Sequence, residues 1–280
     1  MLSRISILAA IIISLIASPS YAKQGGDMEL GRAAQRQGDY DQAVNSYANA
    51  LVSGSLSTED QASTFFHRAN IYNLQGKYES AIQDYNEVIK LEPAFVKAYA
   101  GRGAAHESQN EFTQAMEDFD QAIKISPDFG PAYYGRGHIN FALGKYSTAA
   151  SDFETNLKLD PTHAYGALWL HIDKVKSGLD DKKEFKRNAA NLDRLKWPGP
   201  IISHYLGQAS EEEVQQAAMQ VPNTLTQNRI CEFNYYIGEY KLMQKQKNEA
   251  KTMLHQAAEL CPTGFFERIA ANAELQRFTK

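Results

Sequence analysis

An all-α superhelical solenoid of about seven helical hairpins plus a C-terminal capping helix is the fold this sequence predicts, on three observations. Residues recur at a spacing of 34: Pro93, Pro127 and Pro161; Tyr78, Phe112 and Tyr146; Ala81, Ala115 and Ala149; Tyr85, Phe119 and Phe153. Turn signals separate stretches of helical period throughout. No alternating β pattern of useful length intervenes. The 280 residues, 43% of them hydrophobic, suffice for a real core and argue against a disordered tail or a fibre.

The first element stands outside the period. Arg4 precedes an apolar run over residues 5–17, then come Pro19 and Ser20-Tyr21-Ala22, which place small residues three before and immediately before a cut after Ala22. This reads as a secretory signal peptide over residues 1–22. The run is shorter than the roughly 20 residues that span a bilayer. Cleavage is therefore expected, with no membrane insertion afterwards and release into an oxidising compartment, most simply a bacterial periplasm. No cysteine lies near the cut to take a lipid.

Residues 23–162 carry four repeats. The first is marked by Gly31, Gly38, Tyr40, Ala43, Tyr47 and Ala50, with about four extra residues before the next. QGKYESAIQDYNEVIKLEP, QNEFTQAMEDFDQAIKISP and LGKYSTAASDFETNLKLDP then resemble the second helix of the tetratricopeptide repeat, a helix-turn-helix unit of this period. Each alanine lets a neighbouring helix approach closely, each aromatic fills the space beside it, and each proline ends the helix. One hairpin cannot bury its apolar face alone, so neighbours must stack into a superhelix whose concave surface is formed by the first helices.

Residues 163–280 read as degenerate hairpins, one further repeat and a capping helix, continuous with the solenoid. YGALWLHIDKVKSG is a first helix, with a partner over residues 182–195 that lacks the aromatic and alanine signature. After Trp197-Pro198-Gly199-Pro200 comes a short helix, IISHYLG, and Ser210 with Glu213 forms a capping box for another. Register returns at Gly238, Ala250, Ala257 and Pro262, and residues 264–277 form the cap.

Charge and motifs exclude most chemistry. Lysine plus arginine total 29 against 33 aspartate plus glutamate, a net charge of −4, which gives no grip on nucleic acid. Arg68, Arg102 and Arg136 recur with Asp84, Asp118 and Asp152 in the same repeats, which reads as ion pairs between packed helices. The histidines show no ligand spacing, the GRG triplets sit inside helices, and Ser203-His204 has no nucleophile elbow. No enzyme, metal or cofactor is expected.

The concave face remains. Repeat positions two, five, nine and twelve select Phe66, Asn70 and Asn73, then Lys97, Ala100, Ala104 and Glu107, then Tyr134, His138 and Phe141. Aromatics for anchoring and amides for backbone hydrogen bonds suit a protein partner, and there is no lysine-and-arginine clamp for a C-terminal carboxylate. The alternative is a small ligand or glycan strand on Phe66, Tyr134 and Phe141. Cys231 and Cys261 fall at the start of the first helix and the end of the second helix of the last repeat. An antiparallel hairpin brings these ends together, so a disulfide is expected.

ALWLHIDKVKSG, KWPGPIISHYLGQASEEEV and FNYYIGEYKLMQKQKNEAKTMLHQAAELCP, in that order, resemble the NlpI-type family of bacterial outer-membrane lipoproteins. The likeness runs from about Tyr72 to the C-terminus, most specifically at Leu168-Trp169-Leu170, Tyr205-Leu206-Gly207 and Tyr236-Ile237-Gly238. It implies a non-enzymatic homodimeric adaptor for peptidoglycan hydrolases or a protease in the cell envelope. The missing lipidation cysteine is a departure from that family.

Overall fold

The computed structural model describes residues 19–54, 56–221 and 223–279. The expected signal segment lies outside the described residues up to residue 18, and the cut expected after Ala22 falls within the first helix, α1 (Pro19–Gln37). The described residues contain α-helices, one 3₁₀ turn and no strand. The chain divides into two compact units between Thr64 and Phe65. That boundary lies inside α3 (Thr58–Leu74), and residues 163–280 share one unit with the later repeats.

In the first unit α1 pairs with α2 (Tyr40–Val52). Asp39 caps α2 by accepting from the Gln42 amide at 3.0 Å. Ala43, Tyr47 and Ala50 are fully buried, and a Cβ at Gly31 would stand 2.6 Å from the Tyr47 ring, so only glycine permits this approach of the two helices.

The second unit continues with α4 (Tyr78–Leu91), α5 (Val96–Ser108), α6 (Phe112–Ile125), α7 (Gly130–Ala142) and α8 (Tyr146–Leu159). Pro93, Pro127 and Pro161 follow the ends of α4, α6 and α8. The turns within the hairpins place Gly76, Asn110, Gly144 and Gly178 at positive φ, one residue per period. The last of these lies beyond the recognisable repeats, so the 34-residue register persists in the turn after α9 (Ala164–Lys176) although its side-chain signature has gone.

The partner of α9 is shorter than the sequence predicts. α10 covers Lys182–Asn188 and gives way to a 3₁₀ turn at Ala189–Asn191. Phe185 supplies its apolar anchor, and Arg194 donates back to the Ala189 carbonyl at 2.7 Å, which closes the chain into a turn where a helix would have continued. α11 (Gly199–Tyr205) and α12 (Glu211–Met219) follow. Ser210 and Glu213 cap α12 reciprocally, at 3.2 and 2.7 Å. α13 (Asn223–Met243) begins well before Cys231 and pairs with α14 (Lys247–Leu260). Cys231 and Cys261 are bridged, with Cα atoms 4.8 Å apart.

The last helix, α15 (Phe266–Arg277), does more than close the final hairpin. It packs on α14 and α13 and also reaches α7, so the C-terminus covers part of the face that the first helices of the repeats present.

Candidate functional site

The repeat arginines and aspartates meet within each hairpin. Arg68 pairs with Asp84 at 2.7 Å, Arg102 with Asp118 at 2.6 Å and Arg136 with Asp152 at 2.6 Å. The aspartates are buried, and at Asp84 burial outweighs the guanidinium and raises the carboxyl above its usual range. These pairs hold helices together and leave the concave face free for other contacts.

That face has an open end and a closed end. At the open end, on α3, Phe66 is half-buried against Phe95, with ring centroids 5.0 Å apart. Asn70 Oδ1 accepts from the Tyr85 hydroxyl at 2.7 Å. Asn73 Nδ2 donates to the Gly101 carbonyl at 3.2 Å, and its Oδ1 is buried without a partner. Lys97 is exposed.

The closed end corrects the sequence reading. Phe141 has no exposed surface, His138 is 7% exposed and Glu107 is 8% exposed. Tyr134 is half-buried, its ring 4.2 Å from His138 and 4.5 Å from His163. The cause is Phe266 of α15, which stacks on the His138 ring at 3.8 Å, while Glu107 engages His138 Nδ1 at 3.1 Å. Phe141 packs edge-on to Trp169 at 4.9 Å, so both belong to the core. The aromatic platform expected for a glycan thereby loses Phe141, which is fully buried, while Phe66 and Tyr134 stay half-exposed.

Two further contacts fix this closure, and neither has a local sequence signature. Tyr78 donates to the Thr263 carbonyl at 3.0 Å and Ser108 to the Gly264 carbonyl at 3.3 Å. Gly264 has φ of +87°, and a Cβ there would lie 1.8 Å from the Tyr78 hydroxyl oxygen, so glycine is required twice over. At the other end of α15, Lys176 Nζ stands 3.0 Å from both Glu239 and Glu274, and Arg277 donates to the Phe141 and Ala142 carbonyls at 3.1 and 2.9 Å. Burial pushes the Glu239 carboxyl up to about 7 although Lys176 opposes it. Burial also presses the Lys176 ammonium down, but its two glutamates outweigh that and hold it above the ordinary lysine value.

Between the open end and the residues leading into α15 runs a groove of about 840 Å³. Asn70, Asn73, Ala104 and Ser108 line one side, and Pro262, Thr263, Gly264 and Phe265 the other. No charged side chain lines it. Such a groove can take an extended, uncharged chain, with Asn70 and Asn73 as amide partners. Among the described residues, no group of three or more His, Cys, Asp or Glu side chains is placed to hold a metal ion, and no helix is long and apolar enough to cross a membrane.

Family models described as tetratricopeptide repeat match residues 28–62, 96–129 and 130–163, and one described as TPR repeat matches residues 69–110. Among solved structures, a tetratricopeptide repeat protein from Parabacteroides merdae is similar at 17% identity and a TM-score of 0.57, over 94% of this chain and 100% of that one. A structure of MamA protein is similar at 20% identity and a TM-score of 0.52, over 60% of this chain and 90% of that one. Likeness at these identities extends to the fold.

Proposed function

We propose, from the premise that the chain is a tetratricopeptide-repeat protein, that it is a non-enzymatic adaptor holding an extended segment of a protein partner. The uncharged groove between Asn70, Asn73 and the chain's own residues 262–265 is the observation that carries this reading. The segment at residues 263–264 supports it, since groove hydroxyls already take its carbonyls as they would take those of a bound peptide. We place the adaptor in the periplasm, as a homodimer serving envelope maintenance and possessing hydrolases or a protease among its partners; the N-terminal apolar segment and the resemblance to NlpI-type lipoproteins support that finer reading.

The test is a pull-down from periplasmic extract with the chain from residue 23 onward as bait, beside the Ala104→Phe variant, which fills the groove from its wall. A specific protein partner captured by the parent and lost in the variant, at equal helicity, is the expected outcome. No partner, or one retained equally by Ala104→Phe, would overturn the assignment.

A further inference from the structure

The second unit holds a pocket that the repeats do not use. It has a volume of about 490 Å³ and lies between α9, α10, α11 and α13, in the size range of roughly 300–1,000 Å³ usual for small-molecule sites. Its apolar walls come from Phe185, Tyr205 and Met243. Those walls are held in place. Phe185 stacks on the His171 ring at 4.3 Å, Lys174 ties α9 to Glu184 of α10 at 2.7 Å, and the Tyr205 hydroxyl donates to the Tyr236 carbonyl at 2.6 Å.

The lysines that line this pocket are both at its rim. His171 lines the pocket while only 7% exposed, with its Nδ1 held at 2.7 Å by Asp181, so its ring serves as a fixed wall beside Phe185. Lys182 and Lys186, one helical turn apart on α10, stand exposed at the rim, and no carboxylate lines the pocket to neutralise them. Two ammonium groups at the rim of an aromatic cavity form a site for negative charge carried on an apolar body.

We propose that this pocket binds a small organic anion, a carboxylate or phosphate whose apolar body lies against Phe185, Tyr205 and Met243. The anionic group sits between Lys182 and Lys186 at the rim. This site is separate from the partner groove, so it stands or falls independently of the adaptor reading.

Isothermal titration calorimetry of the purified chain with octanoate and with phenyl phosphate tests it, with phenol, hexanol and inorganic phosphate as comparators. At least one organic anion should bind one to one, about tenfold tighter than its neutral analogue or inorganic phosphate. The double variant Lys182→Gln, Lys186→Gln should lose about tenfold in affinity at unchanged helicity and Tm, since both side chains are exposed. Absence of saturable binding by either anion at millimolar concentration would overturn the proposal. So would equal binding by the neutral analogues, equal binding by inorganic phosphate, or undiminished binding by the double variant.

Discussion

The in-register repeats and the closing half bury charge in opposite ways. From α3 to α8 each buried aspartate meets an arginine 16 residues earlier, and the arginine stays partly in water, at 17–25% exposure. In the closing half Lys176 serves two glutamates from α13 and α15 at once, and Glu239 has no exposed surface. The Lys176 contact to Glu239 is an ion pair by distance, yet neither Glu239 oxygen gains an aligned hydrogen bond. Asp173 beside them is fully buried with both oxygens unpartnered, and burial drives its carboxyl well above the usual range. A repeat pairs its buried aspartate within its own hairpin, and Arg136 reaches beyond it only to the exposed Asp120 of the preceding one. The closure settles its charges only when helices from distant parts of the chain have all arrived, so each member matters more.

The comparison is sharpest at Lys176. Lys176→Met keeps the stem and removes the charge, leaving buried Glu239 without its cation and Glu274 with Arg277 alone, and should cost about 3–5 kcal/mol of stability in urea unfolding followed by circular dichroism. Arg102→Met strands one buried carboxylate, Asp118, to which Arg102 donates at 2.6 Å, and frees the exposed Asn86 oxygen to water; it should cost about 1.5–3 kcal/mol in the same measurement. Equal losses would break the contrast between the two halves.

The smallest effect is one of pH. Burial, then the neighbouring Glu232 charge, pushes the Glu267 carboxyl from 4.5 up to about 8. A carboxyl whose folded value is raised binds its proton more tightly in the native state, so its stabilising protonated form is lost as pH rises. Stability should therefore fall between about pH 4.5 and 8, with Glu239, at about 7, adding to the same slope. Glu267→Gln should flatten part of that slope and gain on the order of 1 kcal/mol above pH 8. An unchanged slope in denaturant midpoints across this range would mean that Glu267 ionises freely in the folded protein.

Much of the repeat half was legible because its contacts are local. The spacing of Arg68 from Asp84, or of Tyr85 from Ala81, is set inside one hairpin, and the period then copies it. Cys231 and Cys261 are joined across a single hairpin and could be paired by register alone. Asn70 and Asn73 could be placed on the concave face for the same reason, and they line the groove. Tyr134, His138 and Phe141 were placed on that face too, but the exposure of His138 and Phe141 could not be read, because Phe266 reaches them from far along the chain.

By itself the sequence determined a helical period, the turns that punctuate it, and the charge pairs and alanine-aromatic contacts repeated within it. Tertiary structure alone decided which part of the concave face stays open. Tyr78 meets Thr263 across 185 residues, and Arg277 meets Phe141 across 136. Contacts of that span depend on the small rotation from each hairpin to the next, summed along the superhelix. No local spacing records such a sum, and it is the sum that carries α15 onto α7 and leaves the groove beside α3.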